Sequence, residues 1–210
     1  MDSDIASISG RIKKDYHIRP LQRFGRNMQT DYSPTRSYIR ASTLEVDQTL
    51  ETPASFAVRR FEEKDLGSVM EINRTCLPEN YSASFFLDVY AKFPEAFLVA
   101  VNGDMVVAYI MCRLERGFSE VSKFRFVKKG HIISVAVLPE HRRKGIASEL
   151  IRQAEKSLVE REAEEYFLEV RVSNKSAQDL YKALDFMEAR TISFYYYNGE
   201  DAVVMSKALK

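Results

Sequence analysis

The segment VAVLPEHRRKGIA, residues 135–147, constrains this chain more than any other. An apolar strand ends at Leu138 and Pro139. Three cations follow, Arg142, Arg143 and Lys144, and Gly145 then opens a stretch that carries Ile146, Leu150, Ile151, Ala154 and Leu158 on one helical face. The first turn of a helix has N–H groups with no partner in the helix and the positive end of the macrodipole, so it attracts anions. Gly145 lets the backbone approach a ligand with no Cβ in the way. Strand, cations, glycine and helix together suit a pyrophosphate, although a basic first turn with a tight glycine has the same pattern. The chain contains no G-x-G and no G-x-x-x-x-G-K-[ST], which removes the dinucleotide fingerprint and the P-loop.

Around this segment the punctuation is regular. Strands are expected at 55–61, 96–101, 105–112, 131–137, 166–172, 187–195 and 202–206, and helices at 63–75, 84–92, 144–161 and 176–184. Asn102-Gly103 marks a hairpin, and residues 113–129 read as a charged loop. The order is β-α-α-β-β-β-α-β-α-β-β. The unbroken apolar run at 131–137 fits a strand covered on both faces. The helix between it and the strand at 166–172 makes a right-handed β-α-β unit with the two strands parallel. Residues 1–55 differ from the rest: they are polar, mix both charge signs and carry several X-Pro steps, and they read as a weakly ordered extension. It is either a docking arm or sequence upstream of a later start at Met28. Residues 56–210 form the folded domain.

With 45% apolar and 29% charged residues the chain can build a core and remain in water. A net charge of +1 selects neither nucleic acid nor membrane. No run approaches the roughly 20 apolar residues of a membrane span, and no secretory h-region is present, so a cytoplasmic location is expected. Cys76 and Cys112 read as reduced thiols.

Arg142-x-x-Gly145-x-Ala147 between strand and helix resembles the R/Q-x-x-G-x-G/A signature of the GCN5-related N-acetyltransferases (GNAT), and the element order matches that fold over residues 56–210. More narrowly, several segments occur in the order found in the archaeal Ard1 type of N-terminal acetyltransferase, related to the NatA catalytic subunit. These are LPENY (77–81), GHIISVAV (130–137), LEVRVSN (168–174), Leu180-Tyr181, Tyr195-Tyr196 and GEDA (199–202). One departure is Asp185, where the family often has glycine, and an altered helix C-cap is expected there. The resemblance implies an α/β (α+β) fold: a mixed, mostly antiparallel sheet flanked by four helices, its fourth and fifth strands parallel and splayed. It also implies acetyl-CoA as cosubstrate, no required metal, and transfer to the α-amine of protein N-termini or nascent chains. Ser, Ala, Thr or Met starts are expected, and a ribosome or auxiliary subunit is a candidate partner.

Amide formation needs a neutral amine, a held thioester, a stabilised oxyanion and a protonated leaving thiolate. Glu169 stands mid-strand among apolar residues, an expensive place for a carboxylate, and His131 begins the neighbouring strand on the same face. A water held between them is expected to take the amine proton; as plain structure, Glu169 would instead pair with Arg171. Two such groups are too few for a dedicated zinc site. Tyr181 is the candidate donor to the thiolate, although it also fits an apolar helical stripe. The cofactor wall comprises the backbone of Val135, Ala136 and Val137, the loop residues Arg142, Arg143, Lys144 and Gly145, and the first helical turn at Ile146, Ala147 and Ser148. Asn174 either hydrogen-bonds the pantetheine or caps a helix. Leu77, Pro78, Glu79 and Tyr81, with Tyr195 and Tyr196, are expected to line the peptide slot.

An α-amine with a pKa near 7.8 is roughly 10% neutral at pH 7, and a lysine near 10.4 roughly 0.04%, a gap of about 3.5 kcal/mol. A modest base therefore suits an α-amine. The competing readings are a GNAT enzyme for ribosomal-protein, lysine or small-molecule amines, a non-catalytic CoA-binding module, and single-strand nucleic-acid binding through the basic-aromatic run KFRFVKK, residues 123–129.

Overall fold

A computed structural model describes residues 56–122 and 124–209. The extension at residues 1–55 lies outside them. Strand β1 (Ala57–Arg60) leads through a single 3-10 turn into helix α1 (Leu66–Cys76). Arg59 grips Asp65 with two hydrogen bonds of 2.6 and 2.8 Å, and the same carboxylate accepts the Glu62 N–H, which fixes the entry to the helix. Helix α1 stops at extended Leu77, ahead of Pro78. Ser82 caps helix α2 (Ala83–Lys92) by accepting the Phe85 N–H. Then come β2 (Phe97–Asn102), β3 (Met105–Phe118), β4 (Phe126–Val137), α3 (Ile146–Glu160), β5 (Glu165–Arg171), α4 (Lys175–Lys182), β6 (Met187–Ile192) and β7 (Ala202–Ala208).

The seven strands form one sheet in the order β1-β2-β3-β4-β5-β7-β6, antiparallel throughout except for the β4–β5 pair. The expected element order and parallel step are both present. One hydrophobic cluster lies between the sheet and α3 with α4, and includes Ile110, Leu150, Leu158, Leu168 and Phe186. A second lies on the opposite face, under α1 and α2, and includes Ile72, Phe86, Phe97 and Tyr109. A Cβ on Gly130 would run into the Leu158 side chain, so glycine at this point of β4 lets α3 lie close against the strand.

Two expectations are corrected. Much of the charged loop expected at 113–129 is strand: β3 runs on to Phe118 and β4 begins at Phe126, with Arg116 opposite Lys128 and Phe118 opposite Phe126. Charge density concealed a long hairpin whose turn is tied down by a buried carboxylate. Glu165 accepts from the Ser119 hydroxyl at 2.6 Å, the Glu120 N–H at 2.9 Å and the Ser206 hydroxyl at 2.9 Å. At the other end of the chain, β6 stops at Ile192, not at Tyr195, because Phe194 takes a left-handed conformation (φ 54°) and turns the chain. At the α4 C-terminus Asp185 is left-handed too (φ 68°), and the Phe186 N–H reaches back to the Tyr181 carbonyl. Cys76 and Cys112 are both free thiols, and burial pushes the Cys112 thiol up to about 12.

Candidate active site

Strands β4 and β5 pair at only three positions, Lys129 with Glu165, Gly130 with Tyr166 and His131 with Phe167. Past His131 the ladder between them ends, although β4 continues to Val137 and β5 to Arg171. One backbone edge of Val135, Ala136 and Val137 therefore faces the gap, while their other edge stays paired with β3. Beyond Val137 a 3-10 turn leads to Arg142, whose Nε donates to the Val137 carbonyl at 3.0 Å. Arg142, Arg143, Lys144 and Gly145 are all exposed. Arg143 (φ 63°) and Gly145 (φ 81°) are left-handed, and Gly145 caps α3. A Cβ at Gly145 would meet nothing within 4 Å, so the backbone conformation, not space within the protein, calls for glycine. Cations, curled backbone and the free first-turn N–H groups of Ile146, Ala147 and Ser148 converge at the open end of the gap, a donor set suited to a diphosphate.

At the inner end of the gap His131 Nε2 lies 2.6 Å from Glu169 Oε2. No water fits between atoms this close, so the expected water-bridged pair is corrected to a direct one. An ionised carboxylate only accepts, which places a proton on Nε2. His131 is 8% exposed, and its ring stacks on Phe167 with centroids 4.4 Å apart. Among the described residues its Nδ1 has no hydrogen-bond partner; the Glu115 carboxylate is 3.8 Å away, which is beyond hydrogen-bond reach. Burial pushes the Glu169 carboxyl up. The adjacent imidazole, with Arg113 and Arg190 further off, outweighs burial and holds it below the ordinary carboxylate range. Glu169 is thus an ionised, sheltered carboxylate.

The side expected to receive the peptide is drawn together by Arg171, on the same face of β5 as Glu169. It ion-pairs with Glu79 of the α1–α2 loop, donates to Glu200 at 2.8 Å and Asn198 at 3.1 Å in the β6–β7 turn, and lies 3.8 Å from the Tyr196 ring centroid. The Tyr196 hydroxyl reaches the Glu169 carbonyl at 3.4 Å, and Tyr195 meets Tyr196 edge to face. Tyr81 stacks on Phe85 and donates its N–H to the side-chain oxygen of buried Asn73 at 3.3 Å. Asn73 continues to Tyr109, and Tyr109 to Ser134 on β4. Burial, then the charges of Glu79 and Glu169, pushes the Tyr81 phenol up to about 12, and burial pushes those of Tyr195 and Tyr196 up further. All three remain hydroxyl donors at neutral pH.

Residues 66–186 match the acetyltransferase (GNAT) family. The chain belongs to the GNAT family. An N-alpha-acetyltransferase of Saccharolobus solfataricus is 44% identical over 156 residues, covering 73% of this chain and 93% of that protein. Among solved structures, Ard1 from Thermoplasma volcanium superposes with a TM-score of 0.65 at 28% identity, over 74% of this chain and 98% of that one. Arabidopsis thaliana Naa50 in complex with the bisubstrate analogue CoA-Ac-MVNAL gives 0.64 at 27% identity, over 74% and 99%.

Within this GNAT chain the sequence-derived residues fall into three places. Val135 to Val137 and Arg142 to Ser148 line the gap and its mouth. Glu169 and His131 touch. Glu79, Tyr195 and Tyr196 gather around Arg171 and Glu169, whereas Leu77 packs into the cluster under α1 and α2, and Pro78 is exposed. Tyr181 is buried in the α4-side core, 5.8 Å from Phe186 by ring centroids. Burial, then nearby Cys112, raises its phenol far above the ordinary value, so it keeps its proton. The Asn174 side chain caps α4 by accepting the Ala177 N–H at 3.1 Å, which leaves its amide N–H groups for other partners. Sequence reasoning weighed Arg171 only as a partner for Glu169 and passed over Arg113 and Glu115. Alternation carried past Cys112 along β3 would have placed both on the His131 face. Among the described residues no group of three or more His, Cys, Asp or Glu residues is placed to hold a metal.

Proposed function

We propose that this chain transfers the acetyl group of acetyl-CoA to the free α-amine at protein or nascent-chain N-termini, accepting Ser, Ala, Thr and Met starts. The observation that carries the reading is the direct 2.6 Å contact of Glu169 with His131 at the inner end of the β4–β5 gap, beside the slot that Arg171 organises. Acetyl-CoA, when bound, supplies the activated acetyl thioester. The residues that suit it are the open edge of Val135 to Val137 for the pantetheine and the turn from Arg142 to Ser148 for the diphosphate.

Glu169 takes the proton of the incoming ammonium, and His131 Nε2–H holds the carboxylate in place while it does so. The free N–H groups along β4 offer hydrogen bonds to the oxygen that gains charge. Tyr181 keeps its proton at working pH and gives it to the departing sulfur. Nitrogen gains the acetyl carbon and sulfur loses it; the ammonium nitrogen gives up two protons, one to Glu169 before attack, which passes to solvent, and one as the amide forms, which restores the proton that Tyr181 gives to sulfur. An α-amine is supported over lysine because a lysine demands roughly 3.5 kcal/mol of extra deprotonation, while Glu169 is held below the ordinary carboxylate range and is only a modest base. The relatives named N-alpha-acetyltransferase support the same acceptor.

The test is thiol release from acetyl-CoA with a panel of short peptides. Ser-, Ala-, Thr- and Met-starting peptides are expected to react and their α-blocked forms to be inert. Glu169→Gln is expected to lower kcat by about 10²-fold with acetyl-CoA affinity kept. Activity confined to lysine side chains or polyamines would refute the assignment.

A further inference from the structure

Around His131 and Glu169 the same face of the sheet carries Arg171, Arg190, Lys129 and Arg113, and the first three are each held by two or more hydrogen bonds. Arg171 is held by Glu79, Glu200 and Asn198. Arg190 makes two bonds to Glu120, at 2.8 and 3.1 Å. Lys129 donates to the Phe118 carbonyl at 3.0 Å and to Glu120 at 3.4 Å. Arg113 is different. It lies directly opposite His131 in the β3–β4 ladder, and alternation from Tyr109 and Met111 turns it to the same face. Its Nε donates to Glu115 Oε2 at 2.9 Å, and that is the one hydrogen bond its guanidinium makes among the described residues. A guanidinium has five N–H donors, so the Nη edge, the edge that receives a carboxylate end-on, is unspent.

Arg113 also faces the slot. Its charge acts on Glu169 of β5, Tyr81 of the α1–α2 loop and Tyr195 of the β6–β7 turn, which are the three walls around the acceptor. Its side chain is 28% exposed, enough to be met from solution. Neighbouring strands lie about 4.8 Å apart, which puts Arg113 on β3 roughly 10 Å across the sheet from the base on β5. An extended peptide advances about 3.4 Å per residue, so its third Cα stands roughly 7 Å beyond its first. A side chain from the second or third residue spans the remainder.

We propose that Arg113 is a specificity-determining residue that receives the side-chain carboxylate of an aspartate or glutamate at the second or third position of the acceptor. The inference rests on N-terminal acetylation as the reaction. Glu115 holds the other edge of the guanidinium and both aims it and competes for its charge.

The test compares kcat/KM for Ser-starting peptides that differ only by Glu or Lys at position two, and a second pair that differs at position three. The full chain is expected to favour Glu about tenfold or more in one of the two pairs. Arg113→Gln brings that ratio close to one, Arg113→Lys keeps part of it, and Glu115→Gln, which removes the competitor, enlarges it. Both peptides of a pair meet the same preparation, so any loss of folded enzyme in a variant cancels from the ratio. A parent ratio near one in both pairs, or a preference that survives Arg113→Gln, overturns the inference while leaving N-terminal transfer intact. No transfer to any α-amine overturns the reading beneath it as well.

Discussion

Replacing Arg171 by glutamine tests whether the peptide slot is assembled by one side chain. Its guanidinium is 18% exposed, and it joins two carboxylates that are themselves about a quarter exposed, Glu79 at 25% and Glu200 at 23%. A charge-assisted hydrogen bond contributes about 1.5–3 kcal/mol when buried; with the solvent access of the Arg171–Glu79 pair about 1 kcal/mol is the appropriate figure. The Tyr196 ring at 3.8 Å adds about 0.5–1 kcal/mol. Together these give about 1.5–2 kcal/mol, and they hold two loops, not the core. Arg171→Gln is therefore expected to raise KM for a Ser-starting peptide by roughly 10- to 30-fold, at 1.4 kcal/mol per decade. KM for acetyl-CoA should stay within about twofold, because the Arg142 to Ser148 turn is formed by other residues. Arg171→Lys keeps the charge but cannot fork between two carboxylates, so it should recover less than half of the loss. Steady-state kinetics with each substrate varied in turn reads both numbers. A peptide KM within about threefold of the parent, or an equal rise in both KM values, would refute the idea that Arg171 builds the slot alone.

Other expectations follow from the same geometry. Tyr181→Phe removes a hydroxyl whose proton burial retains, and is expected to lower kcat about tenfold with acetyl-CoA affinity nearly unchanged, which stopped-flow thiol release would show. The Asp65 carboxyl is held below its ordinary value by its hydrogen bonds to Arg59, against burial. A lowered folded pKa stabilises the protein above the unfolded value of about 3.9 and stops doing so as pH falls through the folded value. Asp65→Asn should accordingly cost about 2 kcal/mol in urea titrations at pH 7, and that cost should shrink as pH falls through the lowered folded value. Asp185→Gly relieves a left-handed aspartate at φ 68° and is expected to stabilise by about 0.5–1 kcal/mol, a rise of about 1–4 °C in calorimetry.

What the sequence revealed and what it hid follow physical lines. Strong periodicity exposed α3, whose apolar residues Ile146, Leu150, Ile151, Ala154 and Leu158 are all buried. Cations and a glycine marked the turn before it. The β3–β4 hairpin was hidden because Arg113, Glu115, Arg116, Lys128 and Lys129 look like loop residues, and cross-strand pairing is not a local signal. Glu169 could be singled out as a costly carboxylate in an apolar strand. Its direct hold on His131 depends on the side-chain distance between two strands far apart in sequence. Arg171 was passed over as a residue of the slot for a similar reason: its partners Glu79 and Glu200 lie 92 and 29 residues away in the chain. The left-handed turn at Phe194 is unusual for an aromatic residue, and local propensity pointed to continued strand.

Gly130 has a consequence for how such an enzyme fails. Because β4 bears no side chain there, helix α3 rests on the strand one residue before His131, while the opposite end of the same helix begins at Gly145. A stiff rod thus sets the spacing between the turn proposed to receive the diphosphate and the carboxylate proposed as base. Alanine at position 130 would prise the rod off its seat and displace one end of the reaction relative to the other, so the damage would appear first as misaligned chemistry in a protein that still folds and still holds its ligands.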